Sequence, residues 1–255
     1  MLIKKENMMK NRLSIIITIA GLLSSCSSNM DTGGVSRLTY FPIITMNGDA
    51  ELLVPLDSTF EDPGATADAG GSSVEVATTA SGTYQGVDGV DTSIPDNYLV
   101  TYSAQNDDGF DGTAIRNVWV ANTGDLINSI EGLYLANVQR TPNFEFLPQY
   151  TDMNYVLIWQ TDVGTGTYEI SHALGAYYDI GRGFGPNYAA RGAVITANDI
   201  PSNDFTIAQA VFPIWGNTVD ITDFQVDPEN KQITFTGTGN FGNGVFQVQL
   251  TQVQF

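Results

Sequence analysis

From Leu38 to the C-terminus, no stretch of this chain holds a helical apolar period for longer than about two turns. It carries instead a succession of short runs rich in Val, Ile, Thr, Tyr and Phe, each ended by a cluster of Gly, Pro, Asp or Asn. Such punctuation selects an antiparallel β architecture, because a half-apolar strand must find a partner sheet to bury its face. Composition agrees. Charged residues make up only 15% of the chain, against about 25% in an ordinary globular domain. The 42% hydrophobic content is enough for a core and excludes a disordered acidic tail. The formal charge of −18, from 28 acidic and 10 basic residues, excludes nucleic acid as a natural partner, since phosphate contacts need clustered Lys and Arg.

The first 25 residues read as an address. Lys4, Lys5, Lys10 and Arg12 precede an apolar run from Leu13 to Leu23, too short to span a bilayer and of the kind found in secretory signal peptides. The run ends Leu23-Ser24-Ser25-Cys26, and Cys26 is the single cysteine of the chain. The sequence resembles a bacterial lipobox. That resemblance implies a diacylglycerol on the Cys26 thiol and a further acyl chain, such as palmitate, on its freed amine. Two or more acyl chains make a stable anchor. Loss of residues 1–25 removes four bases and one acid, taking the charge to −21. Such a body is repelled by anionic headgroups and projects from the membrane. Residues 26–37 read as a lipidated tether. No Asp follows Cys26, so an outer-membrane location is expected, with the cell surface favoured over the periplasmic face.

Residues 38–122 hold candidate strands at 40–45, 51–54, 73–78, 97–104 and 114–120. In 98–104, alternation places Tyr98, Val100, Tyr102 and Ala104 on one face, and both tyrosines are expected in the core. The segment Phe60-Glu61-Asp62-Pro63-Gly64-Ala65-Thr66-Ala67 is similar to the opening element of bacterial surface immunoglobulin-like domains. Further elements follow in the family's order: Val90–Ser93, Tyr98–Ala104, Asp108-Gly109 and Arg116–Val120. Two features depart from the pattern. Asp96-Asn97 stands where the family has Gly, and Tyr84–Gly89 looks like a loop extension. The resemblance implies a sandwich acting as a spacer or adhesion module.

Residues 123–255 form a second unit, with Thr123-Gly124-Asp125 as the hinge. Strands are expected at 132–138, 154–161, 166–171, 175–180, 192–197, 205–212, 218–226, 231–237 and 244–255. The unbroken apolar run Tyr155–Trp159 predicts a strand buried on both faces. Asp227-Pro228-Glu229-Asn230 predicts a hairpin turn, and the odd step at Thr251-Gln252 predicts a bulge or a change of face. Short helices are expected at Asp125–Ile130 and Pro201–Phe205. This half resembles C-terminal β domains of Bacteroidota lipoproteins associated with glycan uptake. The fold class is therefore all-β: an immunoglobulin-like β-sandwich followed by a second antiparallel β-sandwich or barrel-like domain.

Residues for catalysis are scarce. His172 is the single histidine, so any Ser-His-Asp arrangement must use it, and no G-x-S-x-G surrounds a serine. With Cys26 lipidated, Cys/His zinc sites are excluded. Asp107–Gly112 hints at a calcium loop, but it lacks the ligand at position 3 and the closing Glu, so an acidic turn is the expectation. No catalytic residue, metal site or cofactor is expected. One segment stands out. Tyr177, Tyr178, Asp179, Arg182, Phe184 and Tyr188 gather aromatic and polar groups among glycines, and Trp215 lies near a turn. Aromatic faces stack on sugar rings, and Asp and Arg bond hydroxyls. Neutral glycans need no countercharge, which suits an acidic body. The expected role is non-catalytic binding of a polysaccharide or oligosaccharide. The alternative is a structural lipoprotein that docks to outer-membrane transport or surface proteins and binds no sugar.

Overall fold

The computed structural model describes residues 38–255; the expected signal segment, Cys26 and the expected tether lie outside the described residues. The first half contains β1 (Ile43–Met46), β2 (Glu51–Pro55), β3 (Ala65–Ala69), β4 (Ser72–Val74), β5 (Ala77–Gly82), β6 (Asp96–Gln105) and β7 (Asp111–Ala121). One sheet runs β1-β3-β4 and the other β2-β7-β6-β5, with β2 and β7 parallel. Tyr98, Val100, Tyr102, Val118 and Val120 fill the space between them. The Asp62 of the Asp-Pro-Gly element does more than shape a turn. Its carboxylate accepts from the Tyr102 hydroxyl and from Arg116, a fully buried arginine that also donates to the Asp49 and Asn47 carbonyls. Pairing is what makes a buried guanidinium tolerable.

The second half contains β8 (Gly132–Arg140), β9 (Met153–Asp162), β10 (Thr167–Ile170), β11 (Ala193–Asp199), β12 (Asp204–Ile207), β13 (Ala210–Val211), β14 (Thr218–Asp227), β15 (Gln232–Gly239) and β16 (Val245–Gln252). They form one antiparallel sheet in the order β12-β11-β10-β9-β8-β16-β15-β14-β13. The sheet curls. Arg191, just before β11, exchanges backbone hydrogen bonds with Val211 of edge strand β13 at 3.0 and 2.8 Å. The result is a half-barrel with its core on the concave side.

Several expected elements differ. The strand expected at 175–180 is a wide helical turn over Tyr177–Gly181, because Gly175 and Ala176 both have left-handed φ, +60° and +65°, which ends an extended run. Leu126 and Asn203 are also left-handed and stop the two expected helices as turns, although Asp125 does accept from the Ile127 and Asn128 amides. The run expected at 205–212 breaks between β12 and β13. Of the two outcomes expected at Thr251-Gln252, the change of face occurs and the bulge does not. β16 stays in register with β8 through Gln252, whose amide reaches inward to the Gly124 and Glu131 carbonyls. Phe246, Val248 and Leu250 face the half-barrel core, while Val253 packs on the opposite side with Leu133 and Trp159. Gly124 thereby sits in a bonded corner, its own N–H on the Glu131 carbonyl, rather than in a free hinge.

Phe41–Phe255 form one compact unit. A separate cluster lies between the two β assemblies: Leu53, Trp119 and Ala121 with Leu133, Tyr155, Leu157 and Trp159. β9 therefore serves two cores. Val156 and Ile158 face the half-barrel interior, while Tyr155, Leu157 and Trp159 face the immunoglobulin-like sheet. The continuous apolar run has this cause.

Candidate functional site

Two neighbouring features hold the polar and aromatic groups of interest. The first is the wide turn. Gly181 N–H bonds the Ala176 carbonyl and Arg182 N–H the Tyr177 carbonyl, each five residues back. Local widening of this kind recurs at functional sites. It turns Tyr177 and Tyr178 inward, buried, and carries the following loop to the rim. Tyr177 stacks on Tyr150 with centroids 4.2 Å apart, and Tyr178 sits edge-on to Trp215 at 5.0 Å and to Phe212 at 5.6 Å.

On this buried base rests a surface group. Phe184 and Trp215 are 43% and 42% exposed, with half-buried Tyr188 between them. Tyr188 lies 5.0 Å from Trp215 and 5.5 Å from Phe184. Exposed Arg182 reaches over the Phe184 ring at 5.4 Å. Of the seven residues singled out from sequence, Arg182, Phe184, Tyr188 and Trp215 thus meet at one rim. Tyr177, Tyr178 and Asp179 do not face solvent; the tyrosines support the rim from below, and Asp179 belongs to the second feature.

That feature is a buried chain. Ser171 Oγ lies 2.6 Å from His172 Nδ1, and His172 Nε2 lies 2.6 Å from Asp179 Oδ2. The order is that of a Ser-His-Asp triad. Its surroundings are not those of a nucleophile. Ser171 Oγ accepts from the Leu157 amide at 2.9 Å, Ser171 and His172 are almost wholly inaccessible, and the cavity beside His172 and Asp179 is ≈ 10 Å³, room for one water at most. A catalytic serine needs a substrate carbonyl and oxyanion donors within reach. Here the chain braces β9 and β10 against the wide turn.

The brace is sealed by the first residue of the loop extension, whose type and position in the sequence carry no sign of this role. Tyr84, on the loop extension of the immunoglobulin-like half, lies against Trp159 (6.0 Å, stacked), Trp119 (6.4 Å) and edge-on to His172 (5.8 Å). Burial first, and then the nearby Asp179 charge, push its hydroxyl well above the ordinary tyrosine value. Arg191 covers the ring at 4.9 Å and donates to the Thr83 and Pro186 carbonyls. Asp96 holds the loop from behind, accepting from the Tyr84 and Gln85 amides at 2.8 Å each. The two departures from the family pattern, Asp96-Asn97 and Tyr84–Gly89, are thus one device. Burial raises the Asp96 carboxyl above its usual range against the pull of those amides. Among the described residues, five buried side-chain atoms lack a hydrogen-bond partner, and all belong to residues at or beside this joint: Thr83 Oγ1, Asn97 Oδ1, Trp119 Nε1, Asp179 Oδ1 and Arg191 Nε. An open depression of ≈ 410 Å³ runs along the joint past Tyr84, Trp159 and Glu169.

At the other acidic turn, Asn106 organises the loop, accepting from the Asp108 and Phe110 amides at 3.1 and 2.8 Å. Among the described residues no three His, Cys, Asp or Glu side chains gather as a metal-ligand set.

Known proteins give these features a context. The family model described as "Bacterial surface protein, Ig-like domain" matches residues 44–120. A second model, described simply as a C-terminal domain, matches residues 123–252, just over half of the chain. The chain belongs to that C-terminal-domain family. In this member of the family, the domain follows an immunoglobulin-like module and is packed onto it through β9. Among solved structures, the lipoprotein BT2262 from Bacteroides thetaiotaomicron is similar at 26% identity with a TM-score of 0.63, over 83% of this chain and 100% of that one. No curated protein matches by sequence.

Proposed function

We propose that this protein is a lipid-anchored outer-membrane protein that binds a glycan without transforming it. The observation that carries the reading is the exposed ring group of Phe184, Tyr188 and Trp215 at the half-barrel rim. A rigid, partly exposed aromatic surface is what a pyranose ring stacks on, its polarised C–H bonds against the π face. Rigidity matters because immobilising side chains on binding costs about 0.5–1.5 kcal/mol each. Here Tyr178 and Phe212 already hold Trp215 in place. The anchor follows from Cys26 in its lipobox context and from similarity to a bacterial lipoprotein. Exposure at the cell surface, rather than toward the periplasm, gives the site access to polymers too large to enter.

Affinity electrophoresis of the full chain through gels containing single polysaccharides tests this reading. Retardation by at least one polymer, weakened at least about tenfold by Trp215→Ala, supports it. Equal mobility in every gel sinks it. A second reading has its own support: Ile214 and Val211 lie exposed beside Trp215, and aliphatic neighbours suit a protein partner better than a sugar. In that case Trp215→Ala weakens co-purification with an outer-membrane protein and leaves every gel mobility unchanged.

A further inference from the structure

Five basic residues lie in the described part of this acidic chain: Arg116, Arg140, Arg182, Arg191 and Lys231. Three are accounted for. Arg116 is paired with Asp62, Arg191 holds the Tyr84 loop, and Lys231 sits in the β14–β15 turn. Arg140 and Arg182 remain, and both lie beside Tyr177: Arg140 over its ring at 5.5 Å, and Arg182 five residues on, with its N–H on the Tyr177 carbonyl. Burial alone would raise Tyr177, yet hydrogen bonding with Tyr150, Arg140 and Arg182 outweighs it and holds the hydroxyl below its ordinary value. Arg140 also donates from Nε to the Asn243 carbonyl at 2.7 Å and lies over the Phe246, Tyr177 and Tyr178 rings at 5.0–5.6 Å. Neither guanidinium has a carboxylate within ion-pair distance among the described residues. That is unexpected in a chain where acids outnumber bases 28 to 10. Each guanidinium has five donors, more than these contacts use.

The place is also open. A groove of ≈ 210 Å³ is lined by Arg140, Thr141, Pro142, Tyr150 and Tyr177, with Glu145 on its wall. Arg182 joins it to the aromatic rim, since its N–H bonds the carbonyl of Tyr177 on the groove wall and its guanidinium lies over the Phe184 ring. We propose that Arg140 and Arg182, over the Tyr150–Tyr177 stack, form an anion subsite continuous with the Phe184–Trp215 rim, and that the glycan bound there is acidic, bearing uronate or sulfate groups. This rests on the glycan-binding reading and narrows it, against the neutral ligand that overall charge suggests. The planar fork of arginine matches a carboxylate or sulfate bidentately. The net negative charge of the body is no obstacle, because charges more than about 8 Å away are largely screened at physiological salt, whereas guanidinium groups in contact with the ligand are screened much less.

The test uses the full chain in affinity gels of polygalacturonate, its fully methyl-esterified counterpart, chondroitin sulfate and neutral β-glucans. Esterification keeps the backbone and removes the charge. The expected result is retardation by polygalacturonate or chondroitin sulfate that falls about tenfold in Arg182→Gln and again with added salt. Esterified polymer binds no better than that variant does. Retardation by polygalacturonate alone assigns a carboxylate, and by chondroitin sulfate alone a sulfate-bearing ligand. Arg182 is exposed, so its substitution leaves the fold intact; Arg140→Lys, which keeps the stem and charge but not the fork, gives a second variant with the same expected direction. Retardation by neutral β-glucan alone, lost in Trp215→Ala, overturns the acidic subsite and leaves the glycan reading standing. Acidic polymers bound equally by wild type, Arg182→Gln and Arg140→Lys also overturn the subsite. Absence of retardation in all gels overturns both.

Discussion

At the residue scale, the joint turns on Asp96 and Tyr84. Asp96 is fully buried and accepts three backbone N–H groups, from Tyr84, Gln85 and Asn97. Asp96→Asn replaces an acceptor oxygen by an NH₂ facing amide donors. A loss of about 1–3 kcal/mol is expected, read as a lower urea midpoint. The pH response has a definite sign. Because burial raises this carboxyl in the folded state, the native protein holds the proton more tightly than the unfolded chain. This group's contribution to stability therefore falls as pH rises from about 4 through the raised value, and is flat above it. Urea midpoints for Asp96→Asn from pH 4 to 7 should lack that decline; an unchanged slope would assign it elsewhere. Trp215→Ala is the contrasting case. Removing an exposed ring at the rim is expected to cost about 1–2 kcal/mol by thermal melt, too little to unfold a domain while large enough to abolish stacking.

At the element scale, β9 and the wide turn decide the architecture. Leu157→Ala on β9 is expected to cost about 2–5 kcal/mol, since the void opens between two assemblies. Gly175→Ala is expected to be destabilising by more than about 1 kcal/mol. An added Cβ would lie 2.6 Å from Val248 and the φ is left-handed, so chemical denaturation should show a clear drop. These elements also show what a sequence can disclose. The alternation in β6 and the unbroken run in β9 were legible because burial imposes a period of two, or its absence, on neighbouring residues. The same physics blurs β7. Arg116, Val118 and Val120 face one core, while Trp119 and Ala121 face the interdomain cluster, so no single alternation survives. The wide turn was not legible. Its cause is two successive left-handed residues, and the second, Ala176, carries nothing in its identity that announces a positive φ. Because that turn brings Asp179 back onto His172, the Ser171–His172–Asp179 chain was hidden as well. The rim residues Phe184, Tyr188 and Trp215 could be nominated by type alone, whereas Arg140 and Tyr150 reach the same place from distant strands and loops.

At the scale of the whole molecule, the two assemblies share a cluster and a strand, so they should unfold together. Calorimetry of the full chain is expected to give one endotherm with equal calorimetric and van't Hoff enthalpies; two separated peaks would show that the shared cluster contributes little. Residues 123–255 expressed alone should expose Tyr155, Leu157 and Trp159 and aggregate, which light scattering would reveal. The five unpaired polar atoms around Tyr84 make this joint the place where hydrogen exchange under native conditions should begin. Tyr84 also bears on how such chains diversify. Beads on a string can be shuffled freely, each exchanged for another of its kind. A half-barrel whose outer wall is finished by a side chain from the preceding module cannot be traded alone; its spacer must travel with it, and the loop from 83 to 89 must be inherited in the same step.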